Sequence, residues 1–219
     1  MGAGLEYGIV LKWQGLLLQG MGISFALTGL ALLGGIVLGI VLALMRLSKM
    51  RVLSAAAGSY VNFFRAMPLI LVIFWFYFLV PMLLGRPVGP FYSVLIAFTL
   101  FEAAYYCEII RAGIQSVGRG QVNAGLAIGL TYGQTMLHVV LPQAFRNMVP
   151  ILLTQAIILF QDTSLVYVVG LRDFLTTADM VVNIDNRPVE LYTFAAAVYL
   201  VICLAGSLGV RRLQRRYAI

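Results

Sequence analysis

Four ionisable side chains lie inside long apolar runs: Arg65, Glu102, Glu108 and Asp162. A charge at membrane depth is costly, so such groups face a protein interior or a water-filled path. Glu108 and Arg111 stand three apart and can pair on one helix face, which reads as structural. Arg65 precedes Pro68 in FFRAMPLI. That proline leaves a backbone carbonyl without its helical donor, so the helix bends or unwinds there. Broken helices near a bilayer midplane form substrate sites. Gln161, Asp162, Thr163 and Ser164 place four polar residues in succession within an otherwise apolar run. Charge and hydroxyls together point to the lining of a path, with hydrogen bonding between helices as the alternative. Acid–base catalysis by Glu102 or Asp162 would need a nucleophile or metal set converging at the same depth. The single histidine, His138, has no carboxylate or cysteine at ligand spacing and is expected on the polar side of a docking helix. Cys107 and Cys203 sit in apolar runs as small fillers, so neither a metal site nor a disulfide framework is expected.

The elements that position these groups follow from composition. The chain has 219 residues, 62% hydrophobic and 11% charged, against about 25% charge in soluble domains. So little charge cannot cover a water-facing surface, and part of the solvent must be lipid. A crossing takes about 20 apolar residues, which leaves room for five or six helices. The expectation is an all-α polytopic membrane protein, one domain over 1–219. The net charge of +7 would suggest nucleic acid in a soluble protein. Here the basic residues flank the apolar runs and set orientation instead, so no nucleic-acid partner is expected. The start of the chain lacks a basic leader and a small-residue cleavage site, so its first apolar run is expected to remain as a span.

Five runs are clear: Leu16 to Met45, Leu53 to Leu84, Phe91 to Ile110, Met148 to Leu171 and Leu191 to Val210. The sixth candidate is QVNAGLAIGLTYGQTMLHVVLPQA, Gln121 to Ala144. The positive-inside bias decides against it. With five spans, Arg46, Lys49, Arg51, Arg111, Arg119, Arg146, Arg211, Arg212, Arg215 and Arg216 share one side. Only Lys12, Arg86, Arg172 and Arg187 fall on the other. With six spans the basic residues divide evenly. Five transmembrane helices follow, with the N-terminus outside and the C-terminus cytoplasmic. Local chemistry agrees: Gly129 can close one helix, Thr131 and Gln134 are spaced as a capping box, and Pro142 ends or bends the next. The segment reads as short helix, turn, short helix. A sixth span packed through Gly125, Gly129 and Gly133 is the minority reading. A cytoplasmic loop this apolar needs cover from a partner, and Ala124, Gly125 and Gly129 allow close approach. The basic tail from Arg211 to Arg216 reads as a cytoplasmic stop and headgroup anchor. The acidic loop from Arg172 to Glu190 is a candidate surface for an external partner.

The stretch RAGIQSVGRGQVNAGLAIGLTYGQTMLHVVLPQA resembles the cytoplasmic coupling loop of ABC importer permeases. Asn123-Ala124-Gly125 occupies the place of the usual Glu-Ala-Ala, Gly129 matches the glycine that follows, and Leu141-Pro142 matches the end. The resemblance extends over nearly the whole chain. LLLQGMGISFALTGL, YVNFFRAMPLILV and FQDTSLVYVVGL are similar to polar amino-acid permeases of the histidine/glutamine type, and FEAAYYCEIIRAGIQS with LLTQAIILFQDTSLVYV resembles glutamate/aspartate permeases. Gln161 stands where many such permeases carry lysine. The resemblance implies a type I ABC importer permease fold in a bacterial inner membrane, with a coupling loop at about 116–144. It implies an inner-membrane importer of a polar amino acid, glutamate or aspartate first, with glutamine, arginine, histidine or cystine as alternatives. A secondary transporter is the further alternative. The chain itself would be no enzyme and hold no cofactor, since ATP and magnesium belong to a separate ATPase dimer. A second permease subunit, identical or not, and a periplasmic binding protein complete the implied assembly. The substrate path would take Arg65, Glu102, Gln161, Asp162, Thr163 and Ser164.

Overall fold

The computed structural model describes residues 8–217, with helices throughout and no strand among them. Residues 1–7, 218 and 219, and the Arg216 end of the basic tail, lie outside what its side chains describe. The elements are α1 (Gly8–Lys12), α2 (Gln14–Leu47), α3 (Arg51–Arg65), α4 (Leu69–Phe74), α5 (Val80–Leu84), α6 (Pro90–Gln115), α7 (Arg119–Ala127), α8 (Tyr132–Thr135), α9 (Leu141–Asp162), α10 (Phe174–Asp185) and α11 (Pro188–Tyr217). Among the described residues, four helical stretches are long and apolar enough to cross a membrane: Gln14–Leu47, Pro90–Gln115, Tyr132–Val169 and Pro188–Arg215. The broken pair Arg51–Arg65 and Leu69–Leu84 makes a fifth if it is counted as one span. Helix α2 leaves Leu18, Phe25, Leu33, Val37 and Leu44 about half exposed or more, as a lipid-facing surface requires.

Prolines shape the helices in two ways. At Pro68 the helix stops: α3 ends at Arg65 and Pro68 caps α4, so the break expected beside Arg65 is present. Pro81 and Pro142 do not stop theirs. In each case a five-residue π turn, Trp75–Leu79 or Met136–Val140, ends one residue before the X-Pro step. A proline removes one donor and its ring collides with the carbonyl four residues back. The wide turn inserts an extra residue at that point and relieves the collision. The helical path from Tyr132 therefore runs through Pro142 into α9. This corrects the expected second short helix and the expected span start at Met148.

The chain divides into two compact units. The first comprises Met1–Leu32, Pro68–Thr99 and Ala156–Ser207. Its core joins Leu17, Phe174, Ala178 and Ala195 with Trp13, Phe194, Val198 and Tyr199. Helix α10 presses its start onto α2 at Gly20, where an added Cβ would lie 2.5 Å from Thr177 Oγ1. The buried Ser24 hydroxyl accepts the Phe174 N–H at 3.1 Å. The second unit comprises Leu33–Met67, Leu100–Gln155 and Leu208–Ile219. Small residues bring its helices together, as expected where lipid offers no hydrophobic drive between them. A Cβ at Gly39 would lie 2.7 Å from Tyr106 Cβ, and one at Gly113 would lie 2.9 Å from Met148 Cβ.

Candidate functional site

The loop after α6 is built by local signals. Helix α7 ends at Ala127, and Gly129 takes φ +90°, a conformation that side-chain-bearing residues rarely adopt. Thr131 then caps α8 through a complete capping box: its hydroxyl accepts the Gln134 N–H at 3.3 Å, and its own N–H donates to Gln134 Oε1 at 2.9 Å. The two halves of the hairpin meet at Gly125, where an added Cβ would fall 2.6 Å from Thr135 Cγ2. Gly125 is thus small because Thr135, fully buried, needs the space. Asn123, Ala124, Gly129, Leu141 and Pro142 are exposed, as is His138. The surface carries Leu126 at 45%, Ile128 at 77% and Tyr132 at 65% exposure. These are apolar side chains on a short hairpin that the other described residues leave largely uncovered. All six expected coupling residues lie in the second unit.

The expected path residues separate. Gln161, Asp162, Thr163 and Ser164 sit in the first unit, where α9 gives way to the tighter 3₁₀ turns of Thr163–Val169. Such tighter turns are frequent where an α-helix ends, and Gly170 at φ +69° closes this one. Thr163 is buried and donates to Phe160 O at 2.8 Å. Asp162 is half-buried with no hydrogen-bond or ion-pair partner among the described residues. Gln161 and Ser164 line a recess of about 270 Å³ with Tyr192 and Tyr199. Neither aromatic was singled out from sequence, because a tyrosine in an apolar run carries no periodic signal.

Arg65 and Glu102 belong to the second unit. Arg65 is exposed at the end of α3 and places its guanidinium 5.4 Å from the Tyr105 ring centroid, within cation–π range. Glu102 is fully buried, and both its carboxylate oxygens accept from Gln155 Nε2, at 3.2 and 3.1 Å. Glu108 pairs with Arg111 at 2.6 Å as its spacing predicts, and also with Arg46 from α2 at 3.1 Å. Sequence spacing could not reveal Arg46, since it joins from a different helix.

The segment from Arg172 to Glu190 is tied down more firmly. The buried Asp173 carboxylate caps α10, accepting the Leu175 N–H at 3.1 Å and the Thr176 N–H at 2.9 Å. Burial pushes its carboxyl above the ordinary range, and those donors offset part of the rise. Asp185 at the other end accepts from Trp13 Nε1 at 2.5 Å and Lys12 Nζ at 2.9 Å. The indole and then the ammonium hold its carboxyl below the ordinary range.

Comparison with known proteins agrees with this geometry. Residues 35–219 match the family described as binding-protein-dependent transport system inner membrane component. The chain is 50% identical over 209 residues to the glutamate/aspartate import permease protein GltK of Escherichia coli, covering 92% of this chain and 93% of that one. It is 34% identical to the arginine transport system permease protein ArtQ of Bacillus subtilis, over 97% of both. A crystal structure of an amino acid ABC transporter with histidines superposes with a TM-score of 0.91 at 31% identity, covering 97% of this chain and 99% of that one. The chain belongs to the inner-membrane permeases of binding-protein-dependent ABC importers and has their type I fold. It is an amino-acid transport subunit in a membrane, working with an ATPase and a binding protein, and is not itself an enzyme.

Proposed function

We propose that this permease passes an acidic amino acid, glutamate or aspartate, across the inner membrane. The observation that carries this reading is the 50% identity over 92% of the chain to a glutamate/aspartate import permease. In this reading the chain is one domain that crosses five times, N-terminus outside and C-terminus inside. The segment 116–144 docks on an ATPase dimer that holds the ATP and magnesium. A second permease subunit, the same or different, completes the path, and the segment after Arg172 meets the periplasmic binding protein. Arg65 is the embedded cation that serves an anionic substrate, by bidentate contact with its carboxylate or by offsetting nearby negative charge. Glu102, Gln161, Asp162, Thr163 and Ser164 complete the candidate path.

The test is uptake of labelled glutamate, aspartate, glutamine and arginine by the complex reconstituted with its ATPase and binding protein. Glutamate and aspartate should be preferred, and Arg65→Lys should lower their uptake sharply if the planar fork is used. A preference for arginine would overturn the acidic assignment. A second reading, import of a cationic amino acid, draws on one observation: Asp162 is a half-buried carboxylate without a partner among the described residues.

A further inference from the structure

Where α2 ends and α3 begins, the second unit folds a basic recess of about 520 Å³. Arg46, Lys49 and Arg51 surround it, Ser59 and Asn62 line it from α3, and none of its lining residues is acidic. Lys49 and Arg51 are exposed and have no hydrogen-bond or ion-pair partner among the described residues. Arg46 is locked in place. Its Nη2 pairs with Glu108 at 3.1 Å, its carbonyl accepts from Ser54 Oγ at 3.1 Å, and its Nη1 lies over Gly58, 2.5 Å from where a Cβ would stand. Fixed and free cations beside neutral donors suit an anion with several acceptor oxygens. Apolar side chains stand next to them: Met50 is 62% exposed and Val52 79%. A small soluble anion gives those side chains no cover, whereas an amphiphile covers both surfaces at once.

We propose that this recess binds the phosphate of an anionic phospholipid, with its acyl chains passing Val52 and Leu53. Which leaflet supplies the lipid rests on the orientation proposed above; the binding itself does not. The chemistry is that of a phosphate oxyanion, and its two sources, a lipid and free phosphate, are separable. The detergent-solubilised complex is titrated with dioctanoyl-phosphatidylglycerol, dioctanoyl-phosphatidylcholine and inorganic phosphate, with bound molecules counted by native mass spectrometry. Phosphatidylglycerol should bind about tenfold more tightly than phosphatidylcholine, and a tenfold excess of inorganic phosphate should leave it in place. Lys49→Gln with Arg51→Gln should abolish the difference between the lipids, while Arg86→Gln, which removes a cation elsewhere, should preserve it. Gly58→Ala displaces Arg46 and should weaken phosphatidylglycerol several-fold with Lys49 and Arg51 intact. Equal binding of the two lipids, or a wild-type preference in the Lys49/Arg51 double variant, would overturn the proposal. Displacement by inorganic phosphate would reassign the recess to a soluble anion.

Discussion

The α7–α8 hairpin and helix α10 are made by the same local grammar. Each has a side-chain N-cap, Thr131 or Asp173. Each is bounded by a left-handed residue, Gly129 before α8 and Asn186 after α10. They differ in where the apolar side chains go. Helix α10 buries Phe174, Ala178 and Val181 almost completely, while the hairpin leaves Leu126, Ile128 and Tyr132 in the open. An apolar face that its own chain covers is a matter of stability; one left uncovered must face lipid or another molecule. On the docking reading proposed above, the difference separates a segment whose loss unfolds the protein from one whose loss disconnects it.

The sharpest way to break this comparison is to place the same charge on each face. Ile128→Asp should cut ATP-driven uptake by roughly two orders of magnitude, because buried interface contacts carry about 2–4 kcal/mol, while membrane abundance stays at the wild-type level. Val181→Asp should instead deplete the protein, because an unpaired charge in a packed core is not tolerated. Equal depletion of the two variants in immunoblots would make the hairpin surface structural. Next in size, Gly129→Val forces a β-branched residue to φ +90°. The strain is about 1–2 kcal/mol, and it should lower uptake several-fold and loosen co-purification of the ATPase without reducing abundance. Asp173→Ala removes the cap of α10 and leaves the part-buried Leu175 and Thr176 N–H groups without their acceptor, at a cost of about 1–2 kcal/mol. The readout is a lower thermal midpoint with transport per folded molecule unchanged; a loss of transport at an unchanged midpoint would move α10 into the functional class.

The smallest effect concerns pH. The Asp185 carboxyl is held low by Trp13 and Lys12. A depressed folded value means that the contact contributes fully above the unfolded carboxylate value and is lost as pH falls through the folded one. Release of Trp13, followed by its fluorescence in a Trp75→Phe background, should appear only in acid and should be absent from Asp185→Asn. A transition near neutral pH would show that another group controls this contact.

The features read correctly in advance were local ones. The Thr131–Gln134 box, the glycine turn before it and the break at Pro68 each depend on residues three or four apart. Glu108–Arg111 was legible for the same reason. Pro142 does not end its helix, because its neighbours absorb it in a π turn, which has no compositional signature. Gly125 was assigned to contact with a partner, yet in the fold it admits Thr135, ten residues along and across a turn.

By itself the sequence determined the solvent, the class of fold and the likeness to importer permeases. Hydropathy, charge bias and the 123–142 motif are summed along the chain and do not depend on what touches what. Only the tertiary structure decided which polar groups are satisfied. It gave Glu102 to Gln155, split Glu108 between Arg46 and Arg111, and left Lys49 and Arg51 at the rim of a recess without a partner among the described residues. The physical reason is that pairing inside a membrane protein is a contest among groups distant in sequence, settled by which helices approach closely enough. That approach is set at positions such as Gly39 and Gly113, where a single added carbon would hold two helices apart.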